Sequence, residues 1–387
     1  MLSGAGLTPA AAAAHARQVG ELWEAYGQGR NQRVPITFVA DEQVWLKVAG
    51  ETFGRFYADP RVHLRAQLEG RRWFGEHVVG DMAPAPSQWD VGVQLWMAED
   101  EYFGCRTRYQ EDDYAWSAPL PLDRDDLLRH LADLDAEERV RQGRDWRLYC
   151  DLRELTADLT FEGRPVRVHQ PGTSTHGVFT KAAEIRGPEQ LCLDLYEAPD
   201  FAHRFLELVT DRILDRIRVW HRLVAGRDPD WPDAAGFHLC DDSLQLLSPE
   251  LYRRFVLPCH ERLYRTVTTG PRRLHLCGLA TQHFEILGRE LGVVSIDGPG
   301  PFADHGRYLR DLGPRFAFPA QLDHAILERG TPAQIDTMMR DLLTPGARQP
   351  GRFQVAGFLT RHTPLENVRL CYEAGRRYGA IHLDTPT

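Results

Sequence analysis

The run Leu274-His275-Leu276-Cys277-Gly278 places an imidazole and a thiol two residues apart at the end of an apolar stretch. In a strand, residues i and i+2 project to the same side, so both groups would emerge together at the strand's end. A second segment, Gly236-Phe237-His238-Leu239-Cys240-Asp241-Asp242, repeats the arrangement. As neighbouring strands, the two segments would gather His275, Cys277, Cys240 and His238, a nitrogen and sulfur set suited to tetrahedral zinc. A catalytic ion keeps one coordination position open, and a thiol that joins it is deprotonated into a nucleophile at a fixed place. The competing reading is packing at a strand end, because cysteine is among the most buried residue types.

Further polar residues stand where strands should finish. Asp241 and Asp242 follow the second His-x-Cys pair and are candidates to orient a ligand imidazole or take a proton, with helix capping as the alternative. Asp297 ends Val293-Val294-Ser295-Ile296 and Asp81 ends His77-Val78-Val79-Gly80; both are candidates for substrate contact or loop hydrogen bonding. His169 and His176 flank Gly172-Thr173-Ser174-Thr175, a turn suited to polar substrate atoms. Trp89, Trp96, Tyr102 and Trp116 are candidates for a lid or for core.

Positioning these groups requires a large folded unit, and the composition supplies one: 387 residues, 43% hydrophobic and 26% charged. The formal charge of -9, with basic residues dispersed among acids, argues against nucleic acid and points to a small-molecule partner. No basic leader precedes an apolar core and no apolar run of about 18 residues occurs, so the expectation is a cytoplasmic protein without membrane insertion. Seven scattered cysteines are an odd number and suit reduced thiols better than a disulfide framework. Homodimer formation is left open.

Thr8-Pro9 opens a leading helix, making residues 1–30 an N-terminal helical extension. Residues 34–39 and 77–81 read as strands, and 82–116, rich in aromatic residues, proline and acids, as a long loop excursion with hairpin character. Residues 165–169 read as a further strand, followed by helices over 180–195 and 200–224. Strand and helix then alternate: strands over 237–240, 274–277, 293–297, 315–319 and 353–357 each precede a helix. About eight strands in one domain over 1–387 predict a (β/α)8 TIM-type barrel, with the chemistry at the rim of strand C-termini.

Leu247-Ser248-Pro249-Glu250, Phe255-x-Leu257-Pro258, His275-x-Cys277-Gly278, Gly330-Thr331-Pro332 and Thr363-Pro364-x-Glu366-Asn367-Val368 follow one another as motifs do in the uroporphyrinogen decarboxylase superfamily. Thr180-Lys181-Ala182-Ala183 and Gly187-x-Glu189-Gln190-Leu191 extend the resemblance upstream; the first 150 or so residues match only loosely. The resemblance implies a (β/α)8 barrel and either of two activities: metal-free decarboxylation of a porphyrinogen-like polycarboxylate, or zinc-dependent methyl transfer between a corrinoid carrier protein and a thiol. The decarboxylase branch carries an Arg-Gln-Ala-Gly-Arg motif that Arg30-Asn31-Gln32-Arg33 only faintly echoes. The methyltransferase branch carries His-x-Cys as at His275 and Cys277, plus a later cysteine where Val355-Ala356-Gly357-Phe358 stands here. Substitutes for that third thiolate are Cys240 and His238 first, then Asp241, Asp242 or His362. The expected reaction is therefore zinc-dependent methyl transfer or demethylation, with decarboxylation as the alternative; a binding protein that retains the barrel without catalysis is a third class.

Overall fold

A computed structural model describes residues 9–82 and 87–381. Its strands are β1 (Ile36–Ala40), β2 (Trp89–Val91), β3 (Arg106–Arg108), β4 (Trp116–Ala118), β5 (Thr160–Phe161), β6 (Arg164–Val168), β7 (Phe237–Cys240), β8 (Arg272–His275), β9 (Val293–Asp297), β10 (Phe318–Gln321) and β11 (Phe353–Leu359). In β7, Phe237 and Leu239 are buried while His238 and Cys240 are half-buried, the alternation expected where one face packs under helices and the other faces a polar interior. Leu274 and Ile296 continue the buried side on β8 and β9. The longest helix, Pro199–Ala225, buries Phe205, Leu206, Val209, Ile213, Ile217 and Trp220, a 3.6-residue stripe facing the core.

The two principal sheets are parallel, β7-β8-β9 and β1-β11-β10. Backbone bonds from Ile296 N–H to the Ala317 carbonyl and from Ala317 N–H to the Val294 carbonyl join them through β9 and the approach to β10. At one end the Asp81 N–H donates to the Ile36 carbonyl; at the other the Cys240 N–H donates to the Thr175 carbonyl. The result is an arc running from Asp81 through β1, β11, β10, β9, β8 and β7 to Thr175. Among the described residues no hydrogen-bonded ladder closes that arc into the expected eight-stranded ring. Two expected strands account for the difference. The helix Pro60–His77 runs through His77, leaving residues 78–81 as a single-bonded margin rather than a ladder. The strand expected at 165–169 forms as β6 but pairs with β2 in a separate sheet, β2-β6-β5.

The leading helix is present over Pro9–Gly27, while its expected cap, Thr8, lies outside the described residues. The excursion after Met82 contains a helix, Ala98–Phe103, and the antiparallel hairpin β3-β4. Helix starts follow local chemistry: the Ser248 hydroxyl accepts from Leu251 N–H, and Thr331 forms a reciprocal capping box with Gln334. Beside Pro258, whose ring removes a backbone donor, the helix begun at Pro249 widens into a π turn over Tyr252–Val256 before continuing as Leu257–Val267. No helix among the described residues is long and apolar enough to cross a membrane.

Asp81 closes the N-terminal margin of the arc rather than facing its rim. Its carboxylate is fully buried, pairs with Arg33 through both oxygens at 2.5 and 2.7 Å, and accepts from Ile36 N–H at 2.9 Å and the Tyr372 hydroxyl at 3.0 Å. Those bonds tie residues before, within and long after β1 into one knot, so the substrate contact expected of Asp81 gives way to a structural one. Asp81→Asn is expected to leave the guanidinium without its counter-charge and to cost about 3 kcal/mol. Urea unfolding should show a lowered midpoint at an unchanged slope.

Candidate metal centre and active site

Parallel register brings three chemically active residues into one row. Cys240 on β7 stands opposite His275 on β8, which stands opposite Asp297 on β9, each the last residue of its strand. His238, two residues before Cys240, shares that face. The Asp297 carboxylate accepts from both imidazoles, His275 Nδ1 at 2.9 Å on one oxygen and His238 Nε2 at 2.9 Å on the other. Burial alone would raise the Asp297 pKa, but the bonds and charges of His238 and His275 hold it well below the usual carboxylate range.

With Nδ1 engaged, His275 presents Nε2 to the mouth, 3.7 Å from Asp242. The strand ends at His275, so Cys277 lies in the following loop, where its backbone N–H donates to the Asp242 carboxylate at 2.8 Å. One donor atom from each of Asp242, His275 and Cys277 lies within 4.8 Å of the others. Burial would lower the His275 pKa; hydrogen bonds to Asp297 and Cys277, with the charges of Asp297 and Asp242, override it and push the pKa up to about 10. The site is thus rich in negative charge around one imidazole. A soft sulfur, an imidazole anchored by a carboxylate on its other nitrogen, and a carboxylate oxygen form a donor set that fits zinc with one position left open.

Of the four expected ligands, the structure gathers His275 and Cys277. His238 is turned onto Asp297, and Cys240 lines a neighbouring cavity, its thiol pushed up to about 12 by burial and by Asp242, Asp297 and Glu99. Asp242 takes the third place instead. Asp241 is fully buried and has a different task. It accepts from the backbone N–H groups of Phe179 and Thr180, from the Thr180 hydroxyl and from His260 Nε2, the last at 2.7 Å, so it caps the helix Val178–Arg186 and docks it on β7. Gly177 permits this contact: its φ is +83°, and a Cβ there would sit 2.4 Å from the Cys240 carbonyl oxygen. The catalytic part expected of Asp241 is therefore replaced by positioning, through Asp241 and the unforeseen His260.

A model of the family described as uroporphyrinogen decarboxylase (URO-D) matches residues 25–378. The chain belongs to this family. It is 29% identical over 199 residues to a protein of Methanosarcina mazei named methylated-thiol--coenzyme M methyltransferase, a match covering 49% of this chain and 48% of the relative. The matched region therefore spans about half of that relative's length. A solved structure titled methyltransferase from Methanosarcina mazei shares the fold, with a TM-score of 0.61 and 15% identity over 92% of this chain and 96% of that one.

In this URO-D family member the candidate centre adjoins a cavity of about 280 Å³ whose lining includes Cys240, His176, Glu99, Trp96, Arg216 and the turn at Thr173–Thr175. His176 thus lies at the cavity, with its Nδ1 3.3 Å from Glu99. His169 does not line it; the side chain is exposed on the end of β6, 3.9 Å from Asp90. Glu99 was not foreseen. Its buried carboxylate accepts from the Thr175 hydroxyl at 2.8 Å and the His176 N–H at 3.1 Å; despite burial, His176, Arg216 and Lys181 hold its pKa well below the ordinary range. Among the aromatic candidates, Trp96 lines this cavity, Trp89 and Tyr102 are buried, and Trp116 is exposed on β4. His362 is exposed beside Arg361.

Gly298 allows the His275 ring its place: its φ is +88°, and an added Cβ would lie 2.6 Å from the imidazole. Asp297→Asn, which removes the charge behind that ring, is expected to weaken zinc binding about 10–100-fold. Competition with a chromophoric chelator measures this, and an unchanged affinity would detach Asp297 from the centre.

Proposed function

We propose that this chain is a zinc-dependent methyltransferase or demethylase, moving a methyl group between a corrinoid or small methylated donor and a thiol acceptor. The observation that carries the reading is the Asp242, His275 and Cys277 cluster at the strand ends. The name of the curated relative supports the same reaction class. The arc of parallel strands is read as the greater part of a (β/α)8 barrel, and a cytoplasmic location is proposed with it.

When bound, zinc supplies the charge that converts a coordinated thiol to thiolate at neutral pH. The chain's own residues prepare the place. Asp297 bonds His275 Nδ1 and so holds the ring with Nε2 turned toward Asp242 and Cys277, where it would take an ion in place of a proton. The Cys277 N–H holds Asp242 beside it. Methyl transfer forms a carbon–sulfur bond as the bond from carbon to the donor breaks, its electron pair staying with the donor. Such a reaction needs a mouth that a donor can approach, and three large apolar side chains stand exposed after consecutive strands: Leu246 after β7, Leu279 after β8 and Phe302 after β9. They support docking of a corrinoid carrier protein over the rim.

Protein purified without chelator is expected to carry near-stoichiometric zinc, and Cys277→Ala to lose most of it, as read by elemental analysis. Native protein should also transfer methyl from methylcobalamin to a small thiol, with the methylated thiol followed by mass spectrometry. Absence of metal under zinc-replete conditions, with carbon dioxide released from a polycarboxylate, would favour decarboxylation instead. Phe302→Glu is expected to reduce transfer from a protein-bound corrinoid at least tenfold while sparing free methylcobalamin; equal loss with both donors would remove the docking surface from the proposal.

A further inference from the structure

A second cavity, about 340 Å³, shares Ala98, Asp145 and Arg216 with the one beside Cys240, and its charged lining is Arg139, Arg144, Arg147, Arg216, Glu101 and Asp145. Four guanidinium groups face two carboxylates in a chain whose formal charge is -9. Both acids are already engaged. Glu101 accepts from the Tyr109 hydroxyl at 2.7 Å, and Asp145 accepts from Arg216 at 3.1 Å and from Trp146 N–H at 2.9 Å. Arg144 covers the Tyr109 ring at 3.8 Å and donates to the Tyr57 carbonyl. Arg139 and Arg147 have neither an acidic partner nor a side-chain hydrogen bond among the described residues.

Two observations point to a ligand rather than to surplus surface charge. Arg216 is only 7% exposed, yet its Nε has no acceptor. A buried donor left unpaired is costly, and an acceptor from outside the chain would satisfy it. The helix Arg144–Leu155 also begins at this cavity; the Asp145 carboxylate accepts from Trp146 N–H in its first turn, and the positive helix end adds to the charge of the arginines.

We propose that this cavity binds a small multivalent oxyanion, a phosphate ester or dicarboxylate of metabolite size, held by Arg139, Arg147 and Arg216 at the start of the 144–155 helix. Because Arg216 and Asp145 line both cavities, the bound anion would sit directly behind the wall of the one beside Cys240. The proposal does not depend on zinc or on methyl transfer.

Calorimetric titration of the full chain at low salt tests it, using glycerol 3-phosphate and succinate as probes to separate phosphate from carboxylate recognition. Native protein is expected to bind one of them with a Kd below about 1 mM. Arg139→Gln combined with Arg147→Gln should weaken that binding at least tenfold, whereas Arg129→Gln, at an exposed arginine on another helix, should not. Should the double variant fail to fold, Arg147→Gln alone, at an exposed position, is expected to weaken binding measurably. Failure of both probes to bind, native-like affinity in the folded arginine variants, or equal weakening by Arg129→Gln would each overturn the proposal.

Discussion

One carboxylate organises the mouth of this molecule. Asp297 accepts from two imidazoles carried by separate strands, one on each oxygen. A hydrogen bond with ionic character is short and directional, so the pair sets the plane of each ring instead of leaving them to rotate. It can do so because parallel register makes Asp297 and His275 neighbours across β8 and β9, and because Gly298 leaves room for the ring. Loss of that shared carboxylate would leave His275 without a defined donor direction, and Asp242 and Cys277 without the third member of their cluster.

The acids near strand ends divide by what supplies their hydrogen bonds. Asp81, Asp241 and Glu99 are buried, and their oxygens are filled by backbone N–H groups, hydroxyls or cationic side chains. A carboxylate whose oxygens are filled in this way has little capacity left for a substrate. Such groups build walls. Asp242 and Asp297 remain partly accessible and direct their charge toward the mouth. The same distinction separates Lys181, fully buried between Asp100 and Glu184, from arginines around the second cavity that have no such partners. Counting charges along the chain does not reveal the difference; their enclosure does.

Much of the fold was legible because its signals are local. Ser248-Pro249-Glu250 and Thr331-Pro332 begin helices through caps formed within a few residues, and Val293 to Asp297 is a strand as its apolar run implies. Barrel closure was less legible, because it depends on which strand pairs with which. β6 carries the expected strand pattern but pairs with β2 and β5, partners that its local sequence does not name. At the site, His275 and Cys277 could be singled out by spacing, whereas Glu99 sits in the acidic run Glu99-Asp100-Glu101 of the excursion, and only the fold encloses it with Arg216, Lys181 and His176. His260 gave no signal, since it is one histidine on a helix whose partner lies 19 positions away.

The sequence by itself determined the membership of the chain in the URO-D family, the alternation of strands and helices, and the presence of a His-x-Cys pair at a strand end. The membership rests on family motifs that follow one another in order, and the other two follow from periodicity and short-range spacing, which act along the chain. Only the tertiary structure decided that Asp242 rather than Cys240 or His238 joins His275 and Cys277, and that Asp81 and Asp241 serve the framework. Those outcomes turn on a few ångströms of side-chain placement across neighbouring strands and loops. Hydrogen bonds and coordination weaken steeply over that distance, so residue type and spacing cannot select among donors that all reach the same rim.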